Sequence, residues 1–128
     1  MKQENKEYLL NKHLKLFSNY RFDYNLNNEK IFTIQDGWLN LIDLLCTELS
    51  SLPEPIYIWH LQSKFGCLRI NTSMPTINST KILNKYEDLS AKTCEHCGQS
   101  SSIRNLNGYV VTLCDACNVA ERKRRGIR

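Results

Sequence analysis

From about Glu4 to Asn19 apolar residues recur at near-helical spacing, with Leu9, Leu10, Leu14, Leu16 and Phe17, and His13 among them, so an amphipathic helix is expected there. The stretch YRFDYNLNNEK that follows is aromatic and Asn-rich, and Asn27-Asn28 signals a turn. A short strand over Ile31–Ile34 comes next, and Asp36-Gly37 breaks the chain. In the segment after the break Trp38, Leu41, Ile42, Leu45 and Leu49 share one face, which predicts a helix over 38–49, ended by Ser50-Ser51 and Pro53.

Beyond Pro55 the period shortens. Ile56, Ile58, Trp59 and Leu61, then the alternation Leu68-Arg69-Ile70-Asn71, predict a β-hairpin over 56–72 with its turn at Lys64-Phe65-Gly66. In that hairpin Gly66 is expected to take a positive φ, Phe65 to close the edge of the core, and Arg69 to pair with Asp43 or Glu48. Residues 78–91 return to helical spacing through Ile82, Leu83, Tyr86 and Leu89, with Asn78 or Ser79 as cap. There is no internal repeat and no low-complexity linker.

The fold class expected is α+β: helices packed on a small β-hairpin or sheet, with a C-terminal four-Cys zinc ribbon. Residues 1–92 would form the α+β body, 93–121 the ribbon packed on the helix that feeds it, and 122–128 a basic tail. With so few residues, one shared core is expected rather than two.

The candidate chemistry lies in the cysteines. Cys94-Glu-His-Cys97 and Cys114-Asp-Ala-Cys117, sixteen residues apart, form two CxxC pairs. In a tight turn, residues i and i+3 bring two sulfurs within reach of one ion, so this spacing points to a four-thiolate zinc site of zinc-ribbon or treble-clef layout. Gly98 follows the first pair where a knuckle needs φ > 0, and Asn107-Gly108 marks a hairpin turn before the strand Tyr109–Leu113. Four thiolates fill a tetrahedron, so a single Zn2+ per chain would be structural. His96 is expected outside the ligand set, and Cys46 and Cys67 as packing residues.

Composition changes the picture in two places. The chain has 128 residues, 41% of them hydrophobic and 23% charged, and no apolar stretch approaches the ~20 residues that span a bilayer. Its N-terminus lacks a signal-peptide pattern, so a bacterial cytoplasmic location is expected, with no membrane partner. The formal net charge of +4 belongs to one place: residues 1–117 balance, and the excess is Arg122, Lys123, Arg124, Arg125 and Arg128 against Glu121. Those five residues are candidates for contacting nucleic acid or an acidic partner.

Enzyme chemistry finds little support. The three histidines, His13, His60 and His96, do not build an HNH-type nuclease core, and there is no Gly-rich phosphate loop, GxSxG or HExxH motif. No catalytic or organic-cofactor residues are assigned, and the chain is expected not to be an enzyme. An exposed aromatic among Trp38, Tyr57, Trp59, Phe65 and Tyr109 would make a natural interface anchor.

Asp36-Gly37-Trp38-x-x-Leu41-Ile42, Lys64-Phe65-Gly66-x-Leu68-Arg69, Cys94-x-x-Cys97-Gly98 and Thr112-Leu113-Cys114-Asp115-x-x-Cys117 together resemble small zinc-ribbon proteins of bacteriophages and prophages. The likeness covers roughly residues 36–117 and transfers only the four zinc ligands. It implies an accessory protein of a mobile element that binds and inhibits a host protein, such as a CRISPR-Cas type defence effector, in the manner of anti-CRISPR proteins. The alternative is a nucleic-acid-binding protein acting through the ribbon and the basic tail.

Overall fold

A computed structural model describes residues 1–17 and 31–127. The Asn27-Asn28 turn, the end of the helix expected to reach Asn19, and Arg128 lie outside the described residues. The described residues form an α+β fold with a three-stranded and a two-stranded sheet. None of their helices is long and apolar enough to cross a membrane.

The first expected helix is two pieces, α1 (Gln3–Lys12) and α2 (Leu14–Phe17). The break falls at His13, whose φ of −115° and ψ of 40° leave the helical region. His13 is buried and meets the Asp43 carboxylate at 2.6 Å, a contact thirty residues away that overrides the local helical pattern. Lys12 and Tyr8 bind the other oxygen of Asp43, each at 3.0 Å. Leu14, expected on the apolar side, is exposed.

Strand β1 (Phe32–Thr33) runs parallel to β2 (Ile58–Lys64), which pairs antiparallel with β3 (Cys67–Thr72). A 3-10 turn at Asp36–Trp38 leads into α3 (Leu39–Ser50), which buries Leu41, Ile42, Leu45, Cys46 and Leu49 as its periodicity predicts. Helix α4 (Ile77–Ser90) is capped two to three residues earlier than expected: Thr76 is the N-cap, and Ser79 completes a capping box with it. Asp43 and Glu48 are not partners of Arg69, which is exposed; Glu48 instead holds Lys85 at 2.9 Å and the Tyr86 hydroxyl.

The C-terminal part has β4 (Ser102–Leu106), β5 (Tyr109–Leu113) and α5 (Asp115–Arg125). Buried apolar residues divide into two clusters instead of the single core expected. The larger joins α1 through α4 and the first sheet; the smaller contains Cys94, Leu106, Val111 and Leu113. The small module packs on the Gly37-Trp38 turn and on the β2–β3 turn, and polar contacts make that junction.

Candidate metal centre

Each cysteine is placed by a local backbone device. The first pair lies on a knuckle closed by Gly98 N–H donating to Cys94 O at 2.9 Å and Cys94 N–H to Gln99 O at 2.8 Å, with Gly98 at φ 83°. The second pair sits at the start of α5: Cys114 is the N-cap, and Cys117 in the first turn donates its N–H to the Cys114 sulfur at 3.4 Å. A knuckle, a β-hairpin and a helix carrying the last two ligands is the treble-clef arrangement, which chooses between the two layouts the spacing allowed.

The four Sγ atoms of Cys94, Cys97, Cys114 and Cys117 lie within 4.8 Å of one another. Cys97 and Cys114 approach to 3.6 Å. A tetrahedral zinc–thiolate site with bonds of about 2.3 Å has sulfur–sulfur edges of about 3.8 Å, so the donor set fits one ion. Burial opposes ionisation of Cys94, but backbone amides around its sulfur outweigh burial and lower the thiol to about 7. The Gln99 amide favours the Cys97 thiolate, yet burial and the Cys114 and Cys94 sulfurs raise it overall; burial and the same crowding push Cys117 up. Four clustered thiols cannot all shed protons without a cation among them, so the site's electrostatics ask for a metal ion. His96 is exposed and takes no part in the cluster.

Between the first two ligands stands a residue that the spacing argument missed. Glu95 is fully buried, pairs its N–H with Thr112 O at 2.9 Å, and accepts Thr112 N–H on Oε2 at 2.9 Å. Burial raises its carboxyl above the ordinary range, against the pull of bonds from Thr112 and Ser63. The Thr112 hydroxyl donates to Gly66 O on the β2–β3 turn. Gly37 N–H donates to Glu95 O at 2.8 Å, and Trp38 Nε1–H to Thr93 O at 2.8 Å. A Cβ on Gly37 would fall 2.2 Å from Cys94 O, so only glycine allows this approach. The knuckle is thereby fastened to the body through backbone and buried polar groups.

Four of the basic residues, Arg122 to Arg125, lie on α5, which ends at Gly126 in the left-handed region, φ 71°. Arg124 and Arg125 both reach the buried Glu121, and the Arg124 guanidinium first, against burial, holds that carboxyl below its ordinary range. Arg125 also stacks over Tyr109 at 4.4 Å. Arg122 donates to Asn118 Oδ1 at 3.2 Å, while Lys123 is exposed. The four described candidates, Arg122, Lys123, Arg124 and Arg125, are therefore not equivalent cations.

Cys46 is buried in the body core, and Cys67, half-buried, begins β3. Phe65 is the largest departure at the surface: instead of closing the core edge it is 69% exposed at the hairpin tip. No family model matches this chain, and comparisons with curated proteins and with solved structures return no match.

Proposed function

We propose that this chain is a non-enzymatic, zinc-binding accessory protein that binds a partner protein through the face shared by the hairpin tip and the cysteine module. Zinc suits four thiolates in tetrahedral array, and its filled coordination sphere leaves no position for water or substrate, which supports one structural ion per chain.

The observation that carries the partner-binding reading is the conformation of Phe65. Two tight turns in this molecule share one backbone geometry: Asn107-Gly108 at φ 54° and 96°, and Phe65-Gly66 at φ 54° and 80°. Asparagine is favoured in such a turn because it tolerates the left-handed region; a bulky aromatic there costs free energy on the order of 1–3 kcal/mol. That cost brings no burial in return, since the ring stands in solvent. An exposed, strained aromatic is what an interface anchor requires. Ile103 and Tyr109, 48% and 43% exposed, extend the apolar face.

In the setting implied by the phage and prophage resemblance, the partner is a host protein such as a CRISPR-Cas type effector, met in the bacterial cytoplasm. One observation favours the second reading, nucleic-acid binding: Arg122, Lys123, Arg124 and Arg125 lie consecutively at the end of α5. Capture from bacterial lysate with the zinc-loaded protein, compared with Phe65→Asn, separates the two. A protein partner should stay bound as salt rises from ~50 to ~200 mM and be lost with Phe65→Asn; nuclease-sensitive material whose retention collapses over that range would refute the protein reading. Phe65→Asn should itself raise stability by about 0.5–2 kcal/mol in urea denaturation, because it removes the left-handed strain.

A further inference from the structure

A cleft of about 520 Å³ separates the β1 edge of the first sheet from β5 of the second, with Phe32, Ile34, Phe65 and Val110 among its apolar lining. It meets a second hollow of about 290 Å³, bordered by His96, Arg124 and Arg125, at the shared residues Gln35 and Tyr109. The two adjoining hollows make a groove, with apolar residues around Phe65 and the α5 cations at the other end.

Along this groove runs the outer edge of β5. Both backbone groups of Thr112 point away from β4, since both engage Glu95. In an antiparallel ladder the residue two positions along presents its groups to the same side, so Val110 N–H and C=O face the cleft. No hydrogen bond among the described residues takes either of them. Glu95 thus begins an edge pairing that stops at Thr112 and leaves Val110 exposed for continuation.

The charges along the groove decide the guest. Lys64 stands beside Phe65, and Arg124 and Arg125 flank the other end, with the Arg124 side chain 69% exposed. Of the acids that face the groove, Glu95 is bound by Thr112 and Ser63, and Glu121 pairs with both Arg124 and Arg125, which leaves the α5 end with a net positive charge. A nucleic-acid strand would have to lay phosphates along the apolar cleft wall. An extended peptide would instead place alternate apolar side chains there and acidic ones on the cations.

We infer that the groove binds an extended acidic segment of a protein, added as a strand to the free edge of β5 at Val110 with its carboxylates on Lys64, Arg124 and Arg125. This inference rests on the partner-binding reading and names the partner's chemistry.

The test uses the zinc-loaded full chain and fluorescent peptides of about ten residues alternating valine and glutamate, with a lysine-for-glutamate version and a poly-dT oligonucleotide as competitors. The glutamate peptide should bind at least ~10-fold more tightly than the lysine peptide, and Arg124→Ser with Arg125→Ser should remove most of that preference. Two further peptides carry N-methyl groups on alternate residues, one set in each phase, and leave the protein untouched. Strand addition requires one phase to lose at least ~10-fold and the other to bind nearly as before. Equal loss in both phases, no loss in either, or tighter binding of the lysine peptide or the oligonucleotide would overturn the inference. If these peptides fail while lysate capture still depends on Phe65, the partner-binding reading stands and only the strand guest is wrong; if capture also ignores Phe65, both fall.

Discussion

Gly37→Ala is the sharpest perturbation of the junction between body and cysteine module. An added Cβ would meet Cys94 O at 2.2 Å, Glu95 C at 2.4 Å and Glu95 O at 2.5 Å, all backbone atoms that cannot rotate aside. The knuckle must move off the turn. Two hydrogen bonds then stretch or break, from Gly37 N–H to Glu95 O and from Trp38 Nε1–H to Thr93 O, both 2.8 Å. Each is worth about 1 kcal/mol net, and more where a buried donor is left unpaired. With the strain of overpacking the cost is about 3–5 kcal/mol, which should lower Tm by at least ~10 °C for a chain of this size. Because the knuckle carries two metal ligands, zinc affinity should fall with it. Differential scanning calorimetry and a chelator competition on the zinc-loaded protein read both effects. Gly108→Ala is the control: its Cβ meets nothing within 4 Å, so only the strain of φ 96° remains, about 1–2 kcal/mol. A Gly37→Ala protein melting within ~2 °C of the parent with unchanged zinc affinity would refute the junction as described.

Metal analysis should find one zinc per chain, and Cys97→Ser or Cys114→Ser should lower both zinc content and Tm; since the thiols must lose protons to bind, apparent affinity should fall as pH drops. Asp43→Ala leaves buried His13 without its 2.6 Å partner and should cost about 2–4 kcal/mol in urea denaturation. Burial works against the Asp43 carboxylate, but bonds from His13, Lys12 and Tyr8 lower its pKa below 3.8 overall; its stabilisation is therefore present above that value and lost as pH falls through the lower folded one. Burial and the Glu48 carboxylate push Tyr86 up to about 12, so ultraviolet titration should find Tyr86 ionising late, and stability should decline between pH 10 and about 12. Glu48→Gln should bring that titration down only partway, because burial, the larger cause, remains.

What was legible in the sequence was what local rules control. Helix α3 has a clean 3.6-residue period and appears within a residue of its expected span. The two hairpins follow from strand alternation around glycine turns, and the metal cluster from two CxxC spacings. The misreadings share a different cause: each was decided by a residue far away in the chain. His13 leaves the helix because Asp43 is there to receive it. Glu95 carries no local pattern that marks it, because its partners Thr112 and Ser63 lie far away in the chain. A signal was present nonetheless in the small residues, since Gly37, Gly66 and Gly98 all lie at close approaches between body and module.

The two elements that stood out in the sequence beside the cysteines, Gly37-Trp38 and Phe65-Gly66, supply no ligand; they touch the backbone and side chains of the module that carries the cysteines. Gly37 and Trp38 bind the knuckle backbone, and Gly66 O receives the Thr112 hydroxyl. This arrangement couples the ion to the surface several residues away. One wall of the groove belongs to the body sheet and the other to β5, and the knuckle that carries Cys94 and Cys97 lies between them, bonded to both. If the groove is the binding face, metal and partner must favour the same state, and each should raise the other's apparent affinity by the same factor. A module that merely solubilised the chain would have no need of a buried carboxylate and a glycine contact at its junction. Those features make sense where the relative position of two sheet edges matters.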